Sequence, residues 1–243
     1  MKELNGWKEN EWFTLKVLLS HDYNGMTLEG ALIMDDDINI KTCLNQPNFH
    51  PDSCMQTNLF TPSSMLETNP TLIQYAAYFG SQKCFDLLLQ HKANVKLETY
   101  KGCSTINFAA SGGNMNILNS LDKLKFDFRG ASHYAAMNLH YDALIWCLEN
   151  KDKLYSRIVS NLGTPFECAA TSNFIKAILF FIEKGVEVNY LATGATPLFY
   201  ACAFGNVDAV RLLLAHKNIN PDIRDAQGIF FFISLFKSSI SLH

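Results

Sequence analysis

The side chains best suited to chemistry in this sequence are three histidines, an acidic triplet and a set of thiols. Asp35-Asp36-Asp37 could hold a hard cation, but it lacks the alternating oxygen ligands and the glycine of a Ca²⁺ loop, so it reads as a solvated helix end. Cys103 could be a reactive thiol on a hairpin tip, yet no adjacent His or Lys argues for a lowered pKa. His91 and His216 fall in equivalent turns of a repeated unit and would sit too far apart to share a metal. No G-x-x-x-x-G-K-[ST], G-x-G-x-x-G, H-E-x-x-H or G-x-S-x-G motif is present. The expectation is therefore a protein that is not an enzyme, with no catalytic residue, no cofactor and no metal site.

The bulk properties narrow the partners. The 243 residues are 48% apolar, enough for one sizeable core or a run of stacked repeats. Twenty Lys and Arg against 23 Asp and Glu give a net charge of -3, so no chain-wide positive field favours nucleic acid or anionic lipid. The N-terminal residues lack a secretory apolar core, and the apolar run from 229 to 236 is too short to span a bilayer. Seven cysteines without a C-x-x-C pair, and no N-x-[ST] sequon with x other than Pro, point to reduced thiols in the cytoplasm, with the nucleus as an alternative. A protein partner is expected, with neither nucleic acid nor membrane insertion.

A period near 33 residues organises the chain. Thr196-Pro-Leu-Phe-Tyr-Ala-Cys-Ala-Phe-Gly205 matches Thr164-Pro-Phe-Glu-Cys-Ala-Ala170. Ile73-Gln-Tyr-Ala-Ala-Tyr-Phe-Gly80 matches Thr105-Ile-Asn-Phe-Ala-Ala-Ser-Gly-Gly113, with Ala76 and Ala109 standing 33 residues apart. Ser132-His-Tyr-Ala-Ala136 is a further copy, and its closeness to Ala109 requires a shortened connection around 123–129. Each copy predicts two helices. Thr196 caps the first, Pro197 occupies its first turn and Gly205 ends it in a left-handed conformation. The second starts at Asn206 and carries the stripe Val210, Leu213 and Leu214, which one pair cannot bury alone.

The pattern resembles the ankyrin repeat, best in 194–214 and over about five copies across 69–228, the third degenerate. The resemblance implies an all-α solenoid of stacked helix-turn-helix pairs joined by hairpin-like loops. His133 then takes the repeat's usual histidine position, where a structural hydrogen bond is the expected role. Lys92 and Lys217 replace turn glycines, so those turns are expected to be looser or differently shaped. Leu139 and Asn173 replace the glycines that end first helices. Asn tolerates that conformation and Leu does so poorly.

The family further implies a non-catalytic adaptor or scaffold that binds a protein through a concave face. The two residues after the paired alanines and the hairpin tips would line it: Tyr78, Phe79, Met137, Asn138, Thr171, Ala203 and Phe204, with Tyr100 at a tip. Ser111 and Gly112 fall in the same register. The alternative is a targeting or regulatory module of a larger enzyme or membrane-linked assembly.

The ends depart from the repeat. Residues 1–68 read as a divergent helical cap with an amphipathic stretch over 12–19, a faint repeat echo in Gly25-Met-Thr-Leu-Glu-Gly-Ala-Leu32, and a long loop over 45–64. Asp225-Ala-Gln-Gly228 announces another repeat, but Ile229-Phe-Phe-Phe-Ile233 breaks it, making 229–243 an atypical or truncated copy. A monomer is expected unless those aromatics associate.

Overall fold

The computed structural model describes residues 27–47, 49–55, 63, 65–150 and 163–224. These residues form twelve α-helices and no strand. The chain divides into two compact units, Met1–Leu124 and Lys125–His243. The stretches 12–19 and 225–243, on which the amphipathic helix and the broken last repeat were expected, lie outside the described residues.

In the first unit, three helix pairs follow one another: α1 (Leu28–Ile33) with α2 (Asp37–Leu44), α3 (Leu72–Phe79) with α4 (Gln82–Gln90), and α5 (Thr105–Ser111) with α6 (Met115–Lys123). Helix α3 packs between α1 and α5, and α4 lies against α2 and α6. The second unit repeats the scheme with α7 (Ala131–Met137) and α8 (Tyr141–Asn150), α9 (Pro165–Thr171) and α10 (Ile175–Glu183), and α11 (Pro197–Ala203) and α12 (Val207–Leu214). There α9 packs between α7 and α11, and α10 against α12. The faint echo over 25–32 thus falls on a real helix, α1, started by Thr27 accepting from the Gly30 amide at 3.0 Å.

Helices this short are not stable alone in water, so packing must hold them. The paired alanines make close packing possible: Ala76, Ala77, Ala109 and Ala110 in the first unit and Ala135, Ala136, Ala169, Ala170 and Ala201 in the second are fully buried. Bulk is supplied opposite them. Phe85 and Phe108 are sealed inside the first unit, while Phe166 and Phe181 stack at 5.2 Å in the second. The expected stripe of α12 is realised at Val210 and Leu213, with Leu214 half-buried.

Local signals start and stop the helices as anticipated. Thr164 and Thr196 accept from the amides of Glu167 and Phe199 at 3.1 and 3.2 Å, each followed by proline in the first turn. Gly80 and Gly205 end α3 and α11 with φ of 76° and 69°. Where other residues replace glycine, the backbone keeps the shape: Leu139 sits at φ 64°, Asn173 at 56° and Asp35 at 56°.

The lysine turns differ from each other. Lys92 adopts φ 63° and keeps the bond from the Ala93 amide to Leu88 O at 2.9 Å, the counterpart of Val186 to Phe181 O around Gly185. Lys217 stays out of the left-handed region, and the chain turns instead through the Ile219 amide bonded to His216 O at 3.1 Å. The shortened connection is also present. Residues 124–130 lead into α7 where 91–104 lead into α5, and Phe128 packs its ring against Trp146 of α8 at 5.3 Å.

Two stability predictions follow from this packing. Leu139 is 53% exposed and strained at positive φ, so Leu139→Gly should raise the unfolding free energy by about 1 kcal/mol in urea titration. Ala201 is fully buried between packed helices, so Ala201→Leu should cost roughly 1 to 3 kcal/mol in the same titration.

Candidate protein-binding face

The first helices α3, α7 and α9 are held in place at both ends. At their starts, the third helical residue reaches two ways. Gln74 accepts from the Thr71 amide at 2.9 Å and donates to Leu97 O at 2.7 Å, so it ties α3 to the following hairpin. Asn107 accepts from the Ser104 amide and hydroxyl, both at 2.9 Å. His133, fully buried, meets Gly163 O at 3.0 Å through Nε2; a carbonyl only accepts, so Nε2 carries the proton. Glu167 accepts from the Thr164 amide at 2.6 Å and from the Thr193 hydroxyl at 3.3 Å. In α11 the position is Phe199, which can make no such tie.

At their ends, first helices are capped by the next pair. Asn114 donates to Ala77 O and Tyr78 O at 2.8 and 2.7 Å, fixing the backbone that carries Tyr78. A Cβ on Gly80 would collide with Asn114 Oδ1, so glycine is required there for space as well as for φ. Asn206 donates to Ala170 O and Thr171 O at 2.8 and 2.7 Å in the second unit. Next to Phe174, which has no donor, Ser172 takes over by donating to Ala136 O at 3.0 Å.

In the first unit this framework presents an aromatic cluster. Phe79 lies 4.9 Å from Tyr75 and 5.1 Å from Tyr78, and both Tyr78 and Phe79 are half-buried. The Tyr75 hydroxyl bonds Glu29, and burial, aided by that carboxylate, pushes the phenol's pKa well up. Tyr100 is 71% exposed on the turn closed by Gly102 donating to Thr99 O, with Lys101 over its ring. Ser111, which shares the register of Tyr78, is buried at 1% exposure.

The second unit aligns Met137, Thr171 and Ala203 at one register of α7, α9 and α11. Met137 and Ala203 are exposed, as is Phe204 at 61%, the most open aromatic side chain of this unit's described face. Thr171 and Asn138 are half-buried and donate to Glu167 O and Tyr134 O of their own helices. Sequence reasoning passed over Tyr190 and Leu191, both exposed on the hairpin before α11. The signal was available: they precede Gly194, left-handed like Gly102 of the Tyr100 hairpin.

The remaining chemical candidates resolve into structure. Asp36 caps α2 by accepting from the Asn39 amide at 3.1 Å, a bond that lowers its pKa, and Asp35 accepts from the Cys84 amide at 2.9 Å. The acidic triplet thus serves two helix starts. Cys103, expected at an open hairpin tip, is instead buried at 4% exposure, because its side chain turns into the unit at the start of α5. Burial pushes the Cys84 thiol to about 12 and the Cys202 thiol to about 11. Among the described residues no group of His, Cys, Asp and Glu is placed to hold a metal, and no helix is long and apolar enough to cross a membrane.

A family model for ankyrin repeats matches residues 132–225 in three copies, including the pair that contains the strained Leu139. Residues 132–225 are ankyrin repeats. It is 27% identical over 201 residues to a Saccharomyces cerevisiae protein named a probable 26S proteasome regulatory subunit p28, covering 72% of this chain and 88% of that one. Among solved structures, the ankyrin-repeat domain of human ASB11 superposes with a TM-score of 0.62 at 22% identity, over 84% of this chain and 88% of that one, which speaks for the fold. Ankyrin repeats are protein-interaction modules, so the exposed first-helix residues are the surface to weigh.

Glu167 yields a prediction with a sign. Its burial outweighs its hydrogen bonds and raises its pKa above the ordinary carboxylate value of 4.5, so the folded protein holds that proton more tightly than the unfolded chain. Stability from this group is therefore present at low pH and lost as pH rises from about 4.5 through the folded value. Urea midpoints of wild type and Glu167→Gln should show wild type losing ground steadily over that window. A constant difference would contradict the assignment.

Proposed function

We propose that this protein is a non-catalytic adaptor or scaffold, acting as a monomer, that binds a protein partner on the faces of its first helices. The observation that carries the reading is a division of charge. Helices α3, α5, α7 and α11 contain no charged residue, α9 contains only buried Glu167 and α1 only Glu29, held by Tyr75. Every second helix carries two charged residues, from Asp37 and Lys41 in α2 to Asp208 and Arg211 in α12. Solvent-facing helices are charged; the others keep apolar and aromatic side chains at their open ends.

Met137, Ala203 and Phe204 are the residues proposed to contact the partner in the second unit. Tyr78, Phe79 and Tyr100 fill that role in the first, with Asn138 and Thr171 at the margin. Aromatic and Met side chains are enriched at interfaces, the aromatics because they bury much area at small entropic cost and Met because it adapts to the partner's surface. The yeast relative is named as a regulatory subunit of the 26S proteasome, which makes proteasomal subunits the first partners to test. A cytoplasmic or nuclear setting belongs to the same proposal, since a reducing compartment would keep buried Cys84 and Cys168 as thiols.

The test is affinity capture against a panel of proteasomal regulatory-particle subunits, followed by calorimetric titration of the binder. Phe204→Ala should weaken binding by about 1 to 4 kcal/mol while leaving the urea midpoint almost unchanged, because Phe204 is mostly exposed. With so few charges on the face, Kd should change less than about threefold between about 0.05 and 0.5 M salt. Unaltered affinity in the variant, or a steep salt dependence, would place the interface on the charged second helices instead.

A further inference from the structure

Ser111 breaks the trend of the register it belongs to. Its counterparts Met137 and Ala203 are exposed and Tyr78 and Thr171 half-buried, while Ser111 is 1% exposed. The cover comes from the chain itself. Residues 45–71 join α2 to α3 where 91–104 suffice between α4 and α5, and within them a short 3-10 turn, Leu66–Thr68, brings Met65 against α5. Ser111 Oγ donates to Met65 Sδ at 2.8 Å, and Met65 and Leu66 are 6% and 2% exposed.

Among the described residues, the turn's backbone bonds run within itself. The Leu66 amide bonds Ser63 O at 2.9 Å, the Thr68 amide and hydroxyl bond Met65 O at 3.2 and 2.7 Å, and Asn69 closes it at φ 53°. Its base is pinned separately, where the Met55 amide meets Pro70 O and the Leu72 amide meets Ser53 O. Among the described residues no backbone bond joins the turn to α5, so moving it off α5 exposes two adjacent apolar side chains without breaking such a bond.

We propose that Met65 and Leu66 form a displaceable plug that occupies part of the first unit's binding face, and that a partner binding there presents a short helical turn with two adjacent apolar side chains in their place. The inference rests on the first-helix faces being the binding faces. It adds that the first unit's face is self-occupied while Met137, Ala203 and Phe204 of the second are open.

The probe is a fluorescein-labelled peptide of residues 63–69, titrated into full-length wild type and full-length Met65→Ser/Leu66→Ser and followed by anisotropy. The double variant should bind the peptide saturably and at least ten-fold more tightly than wild type, whose site is filled. No binding to the variant, or equal binding to both, overturns the plug. Should the variant lose its helical circular dichroism, Ser111→Cys in the wild-type background decides. Because Cys54 is an exposed thiol, labelling is read at residue 111 alone by peptide mass mapping. Maleimide labelling there that is slow but independent of urea below the unfolding transition supports local displacement; labelling that tracks global unfolding overturns it. Neither readout involves Met137 or Phe204, so the plug can fail while the adaptor reading stands.

Discussion

A helix of seven or eight residues leaves about as many backbone groups unpaired at its ends as it pairs inside, and this protein is built from such helices. Their stability depends on caps exchanged between neighbouring pairs. Asn114 and Asn206, each starting a second helix, turn away from their own helix and donate to the last carbonyls of the first helix of the preceding pair. The return bond runs the other way: Asn173 accepts from the Ala209 amide at 3.1 Å and Asp35 from the Cys84 amide, each donor being the third residue of the following pair's second helix. This exchange explains why Asn and Asp are tolerated at positive φ, since each offsets the strain with a hydrogen bond that glycine could not make. Gly80 lacks that option because Asn114 occupies the space a side chain would need.

The same exchange frees the first helices for binding. With starts tied by Gln74, Asn107, His133 and Glu167 and ends tied by Asn114, Ser172 and Asn206, the positions of Tyr78, Met137 and Thr171 are set before any partner arrives. A preset face loses little entropy on binding, so modest apolar contacts suffice for affinity. Partner choice then resides in side chains that the fold does not need, and residues such as Phe204 are available for it.

The helix pairs were legible because the repeat writes its own punctuation: Thr-Pro at 164–165 and 196–197, paired alanines, and glycines at 80 and 205. The buried role of His133 followed from its place in that pattern. Less legible was α1 with α2, where Met34 and Asp35 replace the stop signal and only an echo remained around residues 25–32. Cys103 misled because a hairpin tip was read from its flanking Lys101-Gly102, while the side chain one residue on already belongs to the core. The burial of Ser111 could not be read at all. It arises from Met65, far away in sequence, and periodicity carries no information about an inserted turn folding back. Tyr190 and Leu191 were a missed comparison with the Tyr100 hairpin rather than an absent signal.

The exchange of caps is tested most directly by Asn114→Asp, which keeps the shape of the side chain but removes the N–H donors and sets a carboxylate against two carbonyls. Urea unfolding should show a loss of about 2 to 4 kcal/mol relative to the exposed control Asn116→Asp, which should stay near wild type. Equal midpoints for the two variants would mean that the bonds to Ala77 and Tyr78 do not hold the first helix in place, and the account of a preset binding face would fail with them.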